Sequence, residues 1–114
     1  MKINAKNQGD VQILELEGEL DYHSSPELRE KLGELTAKQT SKILVDLAGV
    51  DYMDSSGIAT FVEAFQKAKR YKGRLILASL TTTVRGVFEI AKLDSIFEIT
   101  ATVGEAAEHL GAKT

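Results

Sequence analysis

The chain has no cysteine, no tryptophan and a single proline, Pro26. Without cysteine there can be no disulfide, no thiolate nucleophile and no Cys-ligated zinc, a composition that fits a reducing compartment. Long apolar runs are missing as well. No stretch approaches the ~18 residues of a membrane span, and the start, Met1-Lys2-Ile3-Asn4-Ala5-Lys6-Asn7, lacks the apolar centre of a secretion signal. A cytoplasmic protein without a membrane span is therefore expected. Positive charge is not in excess either: 14 basic residues against 17 acidic ones give a formal net charge of −3. That balance opposes attraction to phosphate backbones and anionic lipid, so direct nucleic-acid binding is not expected.

What is present is an ordinary globular composition, 43% hydrophobic and 27% charged over 114 residues. This length supports one hydrophobic core, hence one domain over 1–114. Ile3, then Val11, Ile13, Leu14 and Leu16 flank the turn-like Asn7-Gln8-Gly9-Asp10, so residues 1–18 read as a hairpin with Gly18 at its end. Ser24-Ser25-Pro26-Glu27 signals a helix start: a capping hydroxyl, Pro in the first turn, and Glu three residues after Ser24. Ile43-Leu44-Val45-Asp46-Leu47 and Leu75-Ile76-Leu77-Ala78 read as strands buried on both faces. Between them Ile58, Phe61, Val62, Phe65 and Ala68 recur at helical spacing, with Lys67, Lys69, Arg70 and Lys72 at the end where the helix dipole favours cations. A third helix is expected after a cap at Thr81-Thr82-Thr83, then a short strand over Ile96, Phe97 and Ile99, then a closing helix through Ala106, Ala107 and Leu110. The order β-β-α-β-α-β-α-β-α predicts an α/β fold: an open, mixed, mostly parallel sheet flanked by about four helices.

Chemistry concentrates in Tyr52-Met53-Asp54-Ser55-Ser56-Gly57, between a strand and a helix. Loops leaving the C-terminal ends of strands are where open α/β sheets bind ligands and partners. Asp54 or Ser55 can cap the helix, and a serine there is also exposed beside free N–H groups that tolerate a phosphate. A second connection, Gly18-Glu19-Leu20-Asp21-Tyr22-His23-Ser24, also leaves a strand and enters a helix, and could share the same sheet edge.

Gly18-Glu19-Leu20-Asp21, Leu44-Val45-Asp46-Leu47, Leu93-Asp94-Ser95-Ile96-Phe97 and above all Tyr52-Met53-Asp54-Ser55-Ser56-Gly57-Ile58 resemble the bacterial anti-anti-sigma factors, the STAS domains. The resemblance runs over almost the whole chain. It implies an anti-sigma factor antagonist whose unphosphorylated form binds a partner that is both anti-sigma factor and serine kinase, freeing a sigma factor. Phosphorylation of Ser55 would end that binding and a serine phosphatase would restore it. It further implies a partner surface of Asp21, Tyr22, His23, Ser24, Asp54, Ser55, Ser56 and Gly57, with no catalytic residue. One departure stands out: Gly57-Ile58-Ala59 replaces the family's frequent Gly-Leu-Gly, a change that favours helix. The alternative within the same fold is a non-switching scaffold, or a subunit of a signalling or transport complex, in which Ser55 is only a cap.

Other chemistries find less support. A triad of Ser55, His23 and an aspartate lacks the Gly-x-Ser-x-Gly elbow of a hydrolase. His23 and His109, so far apart, make no metal site, and neither glycine-rich phosphate-binding string occurs, so no metal and no cofactor are expected. The basic cluster Lys67, Lys69, Arg70, Lys72 and Arg74 reads as a solvated helix end.

Overall fold

The computed structural model describes residues 1–111. The elements follow the expected order: β1 (Lys2–Gln8), β2 (Val11–Leu20), α1 (Ser25–Ala37), β3 (Lys42–Met53), α2 (Ser55–Arg70), β4 (Arg74–Ala78), α3 (Thr82–Ile90), β5 (Glu98–Thr100) and α4 (Val103–His109). They form one sheet in the order β1-β2-β3-β4-β5. β1 runs antiparallel to β2, and every later pairing is parallel.

Alternation along each strand explains the apolar runs. In β3, Ile43, Val45 and Leu47 face the larger core, where α1 contributes Leu28, Leu32 and Leu35, α2 contributes Phe61 and Ala64, and α3 contributes Val84 and Phe88. Leu44, Ile76 and Ala78 point the other way, joining Val11 and Ile13 under Ala106 and Leu110 at the end of the chain. Helices thus cover both sides of the central strands, which therefore carry apolar residues at successive positions. Phe88 ties the larger core together, tilted against Phe61 at 6.3 Å and edge-on to Phe97 at 5.5 Å, with Phe65 5.1 Å from Phe97.

Three expectations need correction. Gly18 does not end β2, and β3 does not stop at Leu47; both strands continue, to Leu20 and Met53. The register shifts twice on the way: Glu15 faces Asp46 but Glu17 faces Gly49, and Gly18 faces Val50 but Glu19 faces Tyr52. Each shift places an extra residue in β3, a bulge that breaks the alternation on which strand recognition depends. The first bulge is held by Asp46, whose Oδ1 accepts from Ala48 N at 3.0 Å. Its crowding leaves room only for glycine, since a Cβ on Gly49 would lie 2.8 Å from Leu16 O. At the second, Gly18 adopts a φ of +116°, a conformation open to glycine.

The third correction concerns the last strand. It is Glu98–Thr100, so Ile96 and Phe97 fall in the preceding turn, where their amides donate to Leu93 O. Phe97 is buried from that turn into the aromatic core. The expected cap of α3 does form around a hydroxyl, Thr81 accepting from Val84 N, and α4 is capped in the same way by Thr102, which accepts from Glu105 N.

Candidate functional site

Leu20 and Met53 are the last paired residues of β2 and β3, so the two connections leave the sheet side by side. A hydrogen bond from Asp54 N to Leu20 O at 3.2 Å joins them. At the start of α2 the capping alternative resolves in favour of Asp54, which has extended backbone and accepts from Ser56 N at 2.8 Å through Oδ1. Ser55 is then the first helical residue. It is exposed, and its hydroxyl enters no hydrogen bond among the described residues. Ser56 is half-buried, and its carbonyl accepts from the Thr60 hydroxyl at 2.9 Å.

Gly57 is buried and offers a partner no side chain. A Cβ there would meet Met53 Cγ at 2.8 Å and Leu20 Cγ at 2.9 Å. Its contribution is close approach, since only glycine lets the first turn of α2 rest directly on the paired strand ends. The partner surface expected from sequence is therefore narrowed at this position.

The β2–α1 connection is organised by Asp21 rather than by the box expected between Ser24 and Glu27. Asp21 Oδ1 accepts from His23 N at 2.9 Å and Ser24 N at 3.0 Å. Ser24 Oγ in return accepts from Asp21 N at 2.9 Å and donates to Glu19 O at 2.7 Å. With its amide taken by Asp21 and its backbone already helical, Ser24 makes no side-chain cap of α1. Ser25, buried, donates from Oγ to Asp21 O at 2.6 Å. Tyr22 stands out, 74% exposed, with the His23 ring edge-on at 5.7 Å.

The amide bonds from Ser24 and His23 hold the Asp21 carboxyl below its ordinary value of 3.8, outweighing desolvation. A lowered folded-state pKa means that the stabilising contribution is complete above the unfolded value and disappears as pH falls through the folded one. Wild-type thermal stability should accordingly lose, below about pH 3.8, a component that Asp21→Asn does not lose. Parallel acid titrations of melting temperature check this; coincident curves would refute the role.

The two helix starts share a shallow groove of about 430 Å³ lined by Tyr22, Ser25, Pro26, Arg29, Ser55, Ser56 and Ala59. The sequence reading brought Tyr22, Ser55 and Ser56 to this place but missed Arg29 and Ala59. A signal existed: Arg29 follows Ser25, and Ala59 follows Ser55, by four residues, the spacing of one helical face. Asp21, His23 and Ser24 lie on the adjoining side of the same turn, beside Glu19 and Glu27. Tyr52, 46% exposed just before Met53, is a further surface aromatic that the sequence reading did not assign.

His23 and Ser55 are joined by no hydrogen bond among the described residues, which leaves the triad alternative without its first link. His109 is exposed at the opposite end of the sheet, where its carbonyl accepts from Arg74 at the start of β4. Within the basic cluster Arg74 pairs with Glu98 and Lys67 lies 3.7 Å from Glu63, while Lys69, Arg70 and Lys72 are exposed to solvent, as a solvated helix end requires.

Fold and site together define a mixed-sheet α/β domain that brings two helix starts, and the exposed, uncommitted hydroxyl of Ser55, to a single sheet end. Residues 2–106 match the STAS domain family, and the chain belongs to that family. It is 38% identical to the anti-sigma-B factor antagonist of Bacillus subtilis (strain 168), over 89% of this chain and 94% of that protein. Among solved structures, a candidate anti-sigma factor antagonist from Thermotoga maritima superposes with a TM-score of 0.90 at 26% identity, covering 96% of this chain and 94% of that one. The Bacillus cell fate determinant SpoIIAA in its phosphorylated form shares the fold, with a TM-score of 0.76 at 24% identity over 96% and 99% of the two chains. Among the described residues, no helix is long and apolar enough to cross a membrane.

Proposed function

We propose that this protein is an anti-sigma factor antagonist that acts by binding and is switched by phosphorylation of Ser55. It has no catalytic step of its own. The observation that carries the reading is the division of labour at the start of α2: Asp54 does the capping, which leaves the Ser55 hydroxyl exposed and uncommitted. The anti-sigma-B factor antagonists related to it support the partner class.

In the unphosphorylated state the surface offered to the anti-sigma factor comprises Tyr22, the Asp21–Ser24 turn and the exposed edge of Asp54, Ser55 and Ser56. Phosphorylation adds about −1.5 to −2 charges at Ser55. Within the domain that charge is tolerable, because the amides of the first turn and the helix dipole attract anions. Across the interface it is not, because a dianion beside Asp54 and near the Asp21 turn must be desolvated among like charges. Switching then requires no unfolding. A serine kinase that is itself the anti-sigma factor would write the mark, and a serine phosphatase would erase it.

Incubation with ATP and candidate anti-sigma kinases, followed by peptide fragmentation, tests the reading. One phosphate on Ser55 is expected. An unmodified Ser55 with every kinase that binds the chain would favour a non-switching scaffold in a signalling or transport complex.

A further inference from the structure

Given phosphorylation of Ser55 as proposed above, the geometry points to Arg29 as the internal receiver of that phosphate, exchanging its Glu63 carboxylate for phosphoserine and drawing the modified side chain into the α1–α2 groove. Among the described residues, Arg29 is the sole cation lining the groove that also contains Ser55. In the unmodified chain its Nε lies 3.0 Å from Glu63 Oε2, an ion pair from α1 to α2 in which both side chains are about half exposed.

Ser55, Ala59 and Glu63 follow one another at four-residue intervals along the α2 face that looks toward α1. Side chains on a helix lean toward its N-terminus, so the Glu63 carboxylate reaches back over the Ala59 turn. The guanidinium bound there sits about one turn, ~5.4 Å along the axis, from the Ser55 turn. Ala59 adds only a methyl group, so nothing bulky on this face of α2 stands in the way. An exposed pair such as Arg29–Glu63 holds weakly. A phosphate dianion offers the guanidinium a stronger, fork-matched acceptor.

The exchange leaves no charge abandoned. Glu63 keeps Lys67, which lies 3.7 Å away one turn along α2. Asp54 on the same helix start and Asp21 on the β2–α1 turn remain as the acidic neighbours of the phosphate, with the first-turn amides opposing them. None of these changes in an Arg29 variant, so a comparison of variants isolates the guanidinium.

The test uses the full chain with phosphoserine installed at position 55 by genetic encoding, so no kinase is needed. A missing kinase would undermine the proposed switch without touching this measurement. The readout is the second pKa of the phosphate, followed by ³¹P NMR. With Arg29 present it should fall below its ordinary value of about 6. Arg29→Gln should raise it by about half a unit or more, and Glu63→Gln, which removes the competing carboxylate, should lower it further. Equal titration of the wild-type and Arg29→Gln chains would overturn the proposal. If Arg29→Gln does not fold, the Arg29 Nε–H resonance of the otherwise wild-type phosphorylated chain decides: it should move along the phosphate titration curve, and a flat response would overturn the proposal equally.

Discussion

Phosphoserine at position 55 should weaken binding to the anti-sigma factor by about 30-fold to about 4,000-fold, the equivalent of the roughly 2–5 kcal/mol that a misplaced buried interfacial charge costs. Ser55→Ala should bind as tightly as the unmodified chain and be insensitive to kinase and ATP. Its hydroxyl takes part in no hydrogen bond among the described residues and the cap belongs to Asp54, so its removal disturbs neither the helix nor the groove. Ser55→Asp, with one negative charge instead of nearly two, should fall between Ser55→Ala and the phosphorylated chain. Isothermal titration of the three forms checks the order. Equal affinities for Ser55→Ala and Ser55→Asp would remove electrostatic repulsion as the cause of switching.

Gly57→Val should lower stability by about 3 kcal/mol, near the upper end of the usual cost of overpacking, and melting temperature by roughly 10–20 °C. The first added carbon already meets Met53 Cγ at 2.8 Å and Leu20 Cγ at 2.9 Å. Both neighbours are almost fully buried, 3% and 0% exposed, so neither can swing into solvent to make room. Relief requires α2 to move off the strand ends, carrying Ser55 away from Tyr22 and the Asp21 turn. Binding should therefore weaken even below the melting transition. Thermal denaturation of the variant beside wild type checks this, and an unchanged melting temperature would contradict the close-packed helix start.

Sequence and structure agree where one physical cause dominates. The successive apolar residues of Ile43–Leu47 and Leu75–Ala78 mean burial on both faces, and both segments are central strands. They part where two causes compete. The two bulges add residues to β3, turning Asp51 and Tyr52 outward, so the alternation fails and the apolar run misleadingly ends the strand at Leu47. Ser24 has every local mark of a cap, yet Asp21 three residues earlier takes its amide first. Phe97 has strand propensity but is held in a turn by the aromatic core around Phe88.

At the site the string 52–57 and the turn 21–24 were legible because each carries its chemistry within a few consecutive residues. Their convergence was only inferable, since it depends on the pairing of Leu20 with Met53. Arg29 was legible only as a helix-face spacing from Ser25, not as a residue of the site. Nothing about an arginine one turn into α1 signals a role until α1 and α2 are side by side and Ser55 opens onto the same groove.

The central claim is that one hydroxyl at the mouth of the sheet decides whether the partner is held. Its most direct test is displacement: a preformed complex of the anti-sigma factor with its sigma factor is titrated with the unmodified chain, and in parallel with the chain carrying phosphoserine at 55, while released sigma factor is measured. The unmodified chain should release sigma factor, and the phosphorylated chain should require at least about 30-fold more protein to do so. Release at the same concentration by both forms would contradict the account.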